Sequence, residues 1–244
     1  MKRVAISGLL FLAALGAPAA AAAQTAATDR WDVTVAPYLM GAAMSGTTGI
    51  ANREATIDAS AHDIFSHLQF GAMGVFVARK GNWGFGGDFI WMALGAVSEN
   101  PPANVDPNQG AFAFYALRRL SPNAELTFGA RWDVLQGKIT FKGPAGTVLE
   151  QTKQWMDPIV GLNLATSGAG RVHARLYSEI GGFGAGSKLT WQIFPTVGFD
   201  LGKVVAFDVG YRWLDLDYES GEGVSAFKYD VLTQGPVAGF VFRF

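Results

Sequence analysis

The hydrophobic residues of this chain recur at every second position. In "KLTWQIFPTVGFD", Leu189, Trp191, Ile193, Pro195, Val197 and Phe199 share one face, against Lys188, Thr190, Gln192, Thr196 and Gly198 on the other. "KVVAFDVGYRW" sets Val205, Phe207, Val209, Tyr211 and Trp213 against Asp208, Gly210 and Arg212. "ELTFGARWDV", "RVHARLYSEI" and "WDVTVAPYL" repeat the period. Alternation over about ten residues predicts β-strands of the length that a tilted strand needs to cross a bilayer. The polar faces hold Gly, Thr, Gln and isolated charges of both signs, not the Lys and Glu of a soluble sheet. Such residues suit a crowded barrel interior, and the apolar faces carry Trp or Tyr near strand ends, as interfacial girdles do. In "LQFGAMGVFVARK" and "QGAFAFYALRR" both faces are apolar, and the pattern leaves their orientation open.

Strands are predicted near 31–41, 68–79, 83–97, 109–119, 124–139, 154–167, 171–182, 188–200, 203–216 and 229–244. That is about ten, within a range of roughly 8–12 for this kind of pattern. "KGN", "LSPN", "SGAG" and "DLGK" are tight-turn material, and they alternate with longer connections such as "SENPPANVDPNQ" and "DYESGEGVSAFK". Short and long connections then lie on opposite sides of the sheet. The expected fold is all-β: a closed antiparallel up-and-down transmembrane barrel with short periplasmic turns and long outer loops. An even strand count pairs the last strand with the first and removes the edges that lipid would not tolerate.

The chain has 244 residues and no cysteine, which excludes disulfides, a thiol nucleophile, thiolate metal sites and a lipid anchor on an N-terminal cysteine. Its first segment pairs Lys2 and Arg3 with the apolar run "VAISGLLFLAAL" and the small residues "APAAAAAQ". That is the layout of a cleaved signal peptide over 1–23, leaving a barrel domain over 24–244. Removing the leader's two basic residues leaves 17 Lys+Arg against 20 Asp+Glu, a net charge of −3. A nucleic-acid partner is not expected at that charge.

Three stretches, "GGFGAGSKLTWQ", "GYRWLDLDYE" and "GPVAGFVFRF", together with "PYLMGAAMSGTTG" and "ASAHDIFSHLQFGAMG", resemble a large group of Gram-negative outer-membrane β-barrel proteins. In size the chain is also similar to the OmpW-like and MipA-like barrels. The resemblance implies fold and location, with no reaction and no cofactor attached. The closing stripe Phe240, Phe242 and Phe244 resembles the C-terminal signal read by the barrel assembly machinery. The outer-membrane bilayer and that machinery are therefore the expected partners, and a monomer the expected state.

Parity places Asp88, Arg131, Asp133, Asp157, Arg175, Glu179, Lys188, Asp208 and Arg212 on the non-lipid faces, as a polar network in the lumen. These charges either pair with one another as a structural plug or line a narrow solute path. In "SAHDIFSHL", Ser60 and Asp63 form a capping-box-like start, and Ile64, Phe65 and Leu68 give an apolar face suited to a lid. Asp63 and His67 lie one turn apart, a possible start of a metal site, but a third ligand is not evident. Barrel enzymes that act on lipid A or peptides need a histidine with an acid or serine at the outer rim. His62, His67 and His173 do not assemble such a triad by parity. The expected role is a non-enzymatic envelope component, structural or binding and passing small solutes. The alternative is a barrel enzyme acting on lipid A or peptides.

Overall fold

The computed structural model describes residues 30–50, 53–99, 102–141, 148–166 and 170–244. The predicted signal peptide over 1–23 lies outside these residues. In chain order the elements are β1 (Asp32–Met40), β2 (Ala43–Ile50), β3 (Arg53–Ala59), α1 (Ala61–His67), β4 (Leu68–Lys80), β5 (Trp83–Leu94) and β6 (Ala96–Glu99). They continue with β7 (Pro102–Ser121), β8 (Ala124–Phe141), β9 (Val148–Ala165), β10 (Val172–Gly181), β11 (Leu189–Asp200), β12 (Val205–Ser220) and β13 (Phe227–Arg243). Ten strands form the wall in the order β1-β4-β5-β7-β8-β9-β10-β11-β12-β13, every neighbour antiparallel. β13 pairs back onto β1, so the sheet is closed.

The first long connection departs from its expected loop character. β2 and β3 form a hairpin on the upper part of β13, and β6 continues β5 past Gly95 to pair with β7. β7, β9 and β12 likewise run beyond their predicted limits. Tight turns, including Gly81 with its φ of 63°, lie at the end of the barrel where the described chain begins and finishes. The hairpin, α1 and the longer connections lie at the other end, here called the loop end.

Outward-facing positions carry the apolar surface. On β12 they run Val205, Phe207, Val209, Tyr211 and Trp213, and then change to Asp215, Asp217 and Glu219. Two rings of aromatic contacts bound this band. Near the terminal end, Trp31 meets Phe85, Trp83 meets Phe128, and Phe207 meets Phe240. Higher up, Trp91 meets Phe112, Phe112 meets Trp132, and Tyr211 meets Trp213. The two stretches of open orientation now resolve. On β4 Phe70 and Phe76 face out while Met73 and Val77 are buried; on β7 Phe114 faces out while Ala111, Ala113 and Leu117 are buried.

The interior near the loop end is apolar. Tyr38, Met40, Met73, Ile90 and Met92 pack together, and α1 inserts Ile64 among them. Ser60 caps that helix: its hydroxyl accepts from the Asp63 backbone N–H, and Asp63 accepts from the Ser60 N–H at 3.0 Å. Phe65, expected to share the helix's packed face, is instead exposed.

Candidate functional site: a charged belt across the lumen

Inward positions of seven wall strands meet at mid-height of the barrel. From β12, Arg212 places Nη2 2.7 Å from Asp88 Oδ2 of β5, and its Nη1 donates to the Tyr38 hydroxyl of β1 at 2.7 Å. Tyr38 donates in turn to Asp88 Oδ1 at 2.8 Å, closing a triangle. The Arg212 guanidinium also lies over the Phe194 ring. From β8, Arg131 donates through Nη1 to Glu179 Oε1 of β10 at 2.8 Å and through Nη2 to the Thr190 hydroxyl of β11. Tyr177 donates to the second Glu179 oxygen at 2.7 Å, and Asp133 Oδ2 lies 3.5 Å from Arg131 Nε.

A third cluster adjoins these. Asp157 of β9 is fully buried and accepts from the Ser187 N–H at 2.5 Å, the Ser187 hydroxyl at 2.7 Å and the Trp155 indole N–H at 3.2 Å. Ser187 belongs to the β10–β11 loop, where Gly182, Phe183 and Gly184 have φ of 86°, 51° and 78°. A side chain at Gly186 would place a Cβ 2.5 Å from both Asp157 Oδ1 and the Met156 carbonyl. This loop folds inward onto the belt, which gives the "GGFGAGSK" stretch a physical reason for its glycines.

Two guanidinium groups therefore face four carboxyl groups in the belt, all shielded from solvent. Buried charges persist only when paired or hydrogen-bonded, and the two Arg–carboxylate contacts at 2.7 and 2.8 Å meet that demand. Both Asp133 carboxylate oxygens and the Tyr229 hydroxyl make no hydrogen bond among the described residues.

Of the nine residues assigned to the lumen from sequence, Asp88, Arg131, Asp133, Asp157, Glu179 and Arg212 come together in this belt. Asp208 lies lower, with His173 Nε2 3.0 Å from its Oδ1. Arg175 is inward-facing, yet no hydrogen bond or ion pair joins it to another described residue. Lys188 is not in the lumen. Its side chain is 55% exposed and lies 2.5 Å from Glu219 at the loop-end rim, because it precedes the first residue of β11 and escapes that strand's alternation. Of the closing stripe, Phe240 and Phe244 are exposed on the outer surface and Phe242 is partly exposed beside them.

The histidines stay apart. His62 and His67 are exposed on α1, where His67 Nδ1 meets the Asp63 backbone carbonyl rather than its carboxylate. His173 lies at the terminal end between Asp208 and Asp200. A second polar layer there escaped the sequence reading: Arg79 holds Glu125 through two contacts of 2.8 and 2.9 Å, and Asn163 donates to the same carboxylate. Its signal was present in the inward parity of β8, but the apolar pattern of β4 concealed Arg79's face.

The belt divides two spaces. Above it is a vestibule of about 360 Å³ beneath α1 and the hairpin, with Met44, Ile57, Ile64, Leu135, Phe227 and Tyr229 in its walls. Below it lies a cavity of about 140 Å³, walled by Tyr38, Val77, Arg79, Tyr115, Arg175 and Phe194. The cavity extends down to Thr34, Val241 and Asp208, near the terminal end.

No family model matches this sequence, and no curated protein matches it. Among solved structures the chain is similar to the outer membrane protease OmpT from Escherichia coli. The two are 8% identical with a TM-score of 0.55, covering 89% of this chain and 98% of that one. It is also similar to Ail, the attachment invasion locus protein of Yersinia pestis, at 13% identity and a TM-score of 0.41, covering 89% of this chain and 100% of the other. The likeness to OmpT is one of fold: this chain has the architecture of an outer-membrane β-barrel.

Proposed function

We propose that this chain is an outer-membrane barrel whose lumen is closed at mid-height, acting without catalysis as an envelope component that binds small solutes. The belt of Arg131, Glu179, Arg212 and Asp88 carries the proposal. Its side chains are bonded to one another across the interior, and a barrel of ten strands leaves little room beside them. The placement in a membrane is supported by the exposed apolar band between two aromatic rings, a surface that water would not tolerate on this scale. In that setting the tight turns face the periplasm and the vestibule faces outward. The stripe ending on Phe244, on the strand that closes the wall, supports recognition by the barrel assembly machinery, and one chain completes the barrel as a monomer.

The test is conductance. Purified, folded protein in planar bilayers at high salt should give no steady current, while the same preparation should show heat-modifiable gel mobility and fractionate with the outer membrane. A steady, porin-like current from the wild type would overturn the closed lumen. Recovery of the folded chain in the soluble periplasm would overturn the membrane placement.

A further inference from the structure

We propose that the lower cavity is a binding site for a small monocarboxylate with an apolar body about the size of one aromatic ring, anchored by Arg175. This deepens the solute-binding reading above, and it depends on that reading only for the side from which the ligand arrives.

Three observations on the cavity wall support it. Arg175 is the one guanidinium there with no hydrogen bond or ion pair to a described residue, Asp208 and Glu125 acting on it only at longer range: Arg79 is held by Glu125 through both its Nε and Nη2. A guanidinium presents a planar fork of donors that matches a carboxylate, and leaving it unmatched inside a barrel is costly. The second observation is Tyr115. Its ring lies 6.4 Å from that of Tyr177 on the same wall, and its hydroxyl makes no hydrogen bond to a described residue, so a second donor is free for an anion.

The third is size and lining. The cavity measures about 140 Å³, and an apolar cavity of roughly 150 Å³ accepts benzene. Val77, Leu117 and Phe194 supply apolar wall beside the donors. A neutral ligand would leave the Arg175 charge unpaired. A dianion would bring a second negative charge toward Asp88 and Asp208, with no further free cation among the described residues of the wall to meet it. Those two acids are themselves engaged, Asp88 by Arg212 and Tyr38, and Asp208 by His173. The site is therefore selective for one negative charge.

Benzoate, benzamide, benzylamine and inorganic phosphate are the probes, titrated by calorimetry and by NMR into the folded wild-type barrel in detergent. Benzoate should bind saturably and at least about tenfold more tightly than the other three, the ratio expected of one charge-assisted pair. Arg175→Gln should weaken benzoate about tenfold or more, and Tyr115→Phe about threefold. Heat-modifiable mobility reports whether each variant is folded. If Arg175→Gln fails to fold, Arg175→Lys keeps the charge without the fork and should still weaken benzoate severalfold. Equal binding of benzoate and benzamide, phosphate competing as well as benzoate, or unchanged affinity in the folded Arg175 and Tyr115 variants would overturn the site. Absence of benzoate binding would do the same. The conductance test fails separately: a silent barrel without benzoate binding rejects this site alone, and a conducting barrel that binds benzoate rejects only the closed lumen.

Discussion

Replacing Val209 by Arg places a charge at the centre of the apolar band. Val209 is the third of five outward positions between Val205 and Trp213, after which the face turns acidic at Asp215. Nine residues at about 3.3 Å each give roughly 30 Å along the strand, and a tilt of about 40° reduces this to about 23 Å of depth. That height agrees with the roughly 25 Å apolar band of membrane barrels. The flanking partners in register, Val197 on β11 and Ala238 on β13, offer no polar group toward which a guanidinium could turn. The expected cost is about 2–4 kcal/mol, falling to about 0–1 kcal/mol near an interface. Val172→Arg provides the comparison, since Val172 is the first residue of β10 and is 60% exposed at the terminal end. Reversible denaturant unfolding in lipid vesicles, followed by tryptophan emission and extrapolated linearly, measures both. Equal costs for the two variants, or a larger cost for Val172→Arg, would refute the assignment of this face and its depth to lipid.

Glu179→Ala strips Arg131 of its 2.8 Å partner and leaves it the Thr190 hydroxyl and, as its one remaining carboxylate, Asp133 at 3.5 Å, so stability should fall by about 3–5 kcal/mol in the same unfolding assay. A loss below about 1 kcal/mol would mean that the belt does not hold its charges in the way described. The α1 lid should depend on acid. The Ser60 hydroxyl, and then its backbone amide, hold the Asp63 carboxyl below its ordinary range. A depressed value contributes stability that is present above about pH 3.9, the unfolded value, and is lost as pH falls through the folded one. The protection of the α1 amides, their exchange taken relative to the intrinsic rate at each pH, should therefore be constant from neutrality down to about pH 5, fall below about pH 4, and lose that dependence in Asp63→Asn. A transition centred above pH 5, or one that persists in Asp63→Asn, would assign the dependence elsewhere.

Most of the wall was legible because lipid and lumen make opposite demands on alternate residues. β8 and β10 to β13 carry both demands, so Arg131, Glu179 and Arg212 could be placed inward from parity alone. β4 and β7 could not be oriented, because their inward residues near the loop end pack against Tyr38, Met40 and Met92 rather than against charges. Apolar-in and apolar-out then look alike. The β2–β3 hairpin looks like loop in the sequence because its strands stand clear of the bilayer, and Met44, Ile57 and Ala59 supply its apolar contribution to the vestibule among the described residues. Lys188 was misplaced by extending alternation one residue past the end of a strand. The inward direction of Arg175 could be read from sequence, but its lack of a partner is a three-dimensional fact. No one-dimensional pattern tells which of Arg79 and Arg175 wins Glu125.

The closing strand β13 is shared by two others, β1 from Val237 to Arg243 and β2 from Phe227 to Gln234, with the chain bending between them at Gly41 and Ala42. The seam of the cylinder is thus latched above the bilayer as well as within it. Closure must wait for β13, and it joins residues some two hundred positions apart, which makes it a slow step in folding. Once made, it is a poor place for sideways escape into lipid, so any molecule leaving this barrel has to leave through one of its ends.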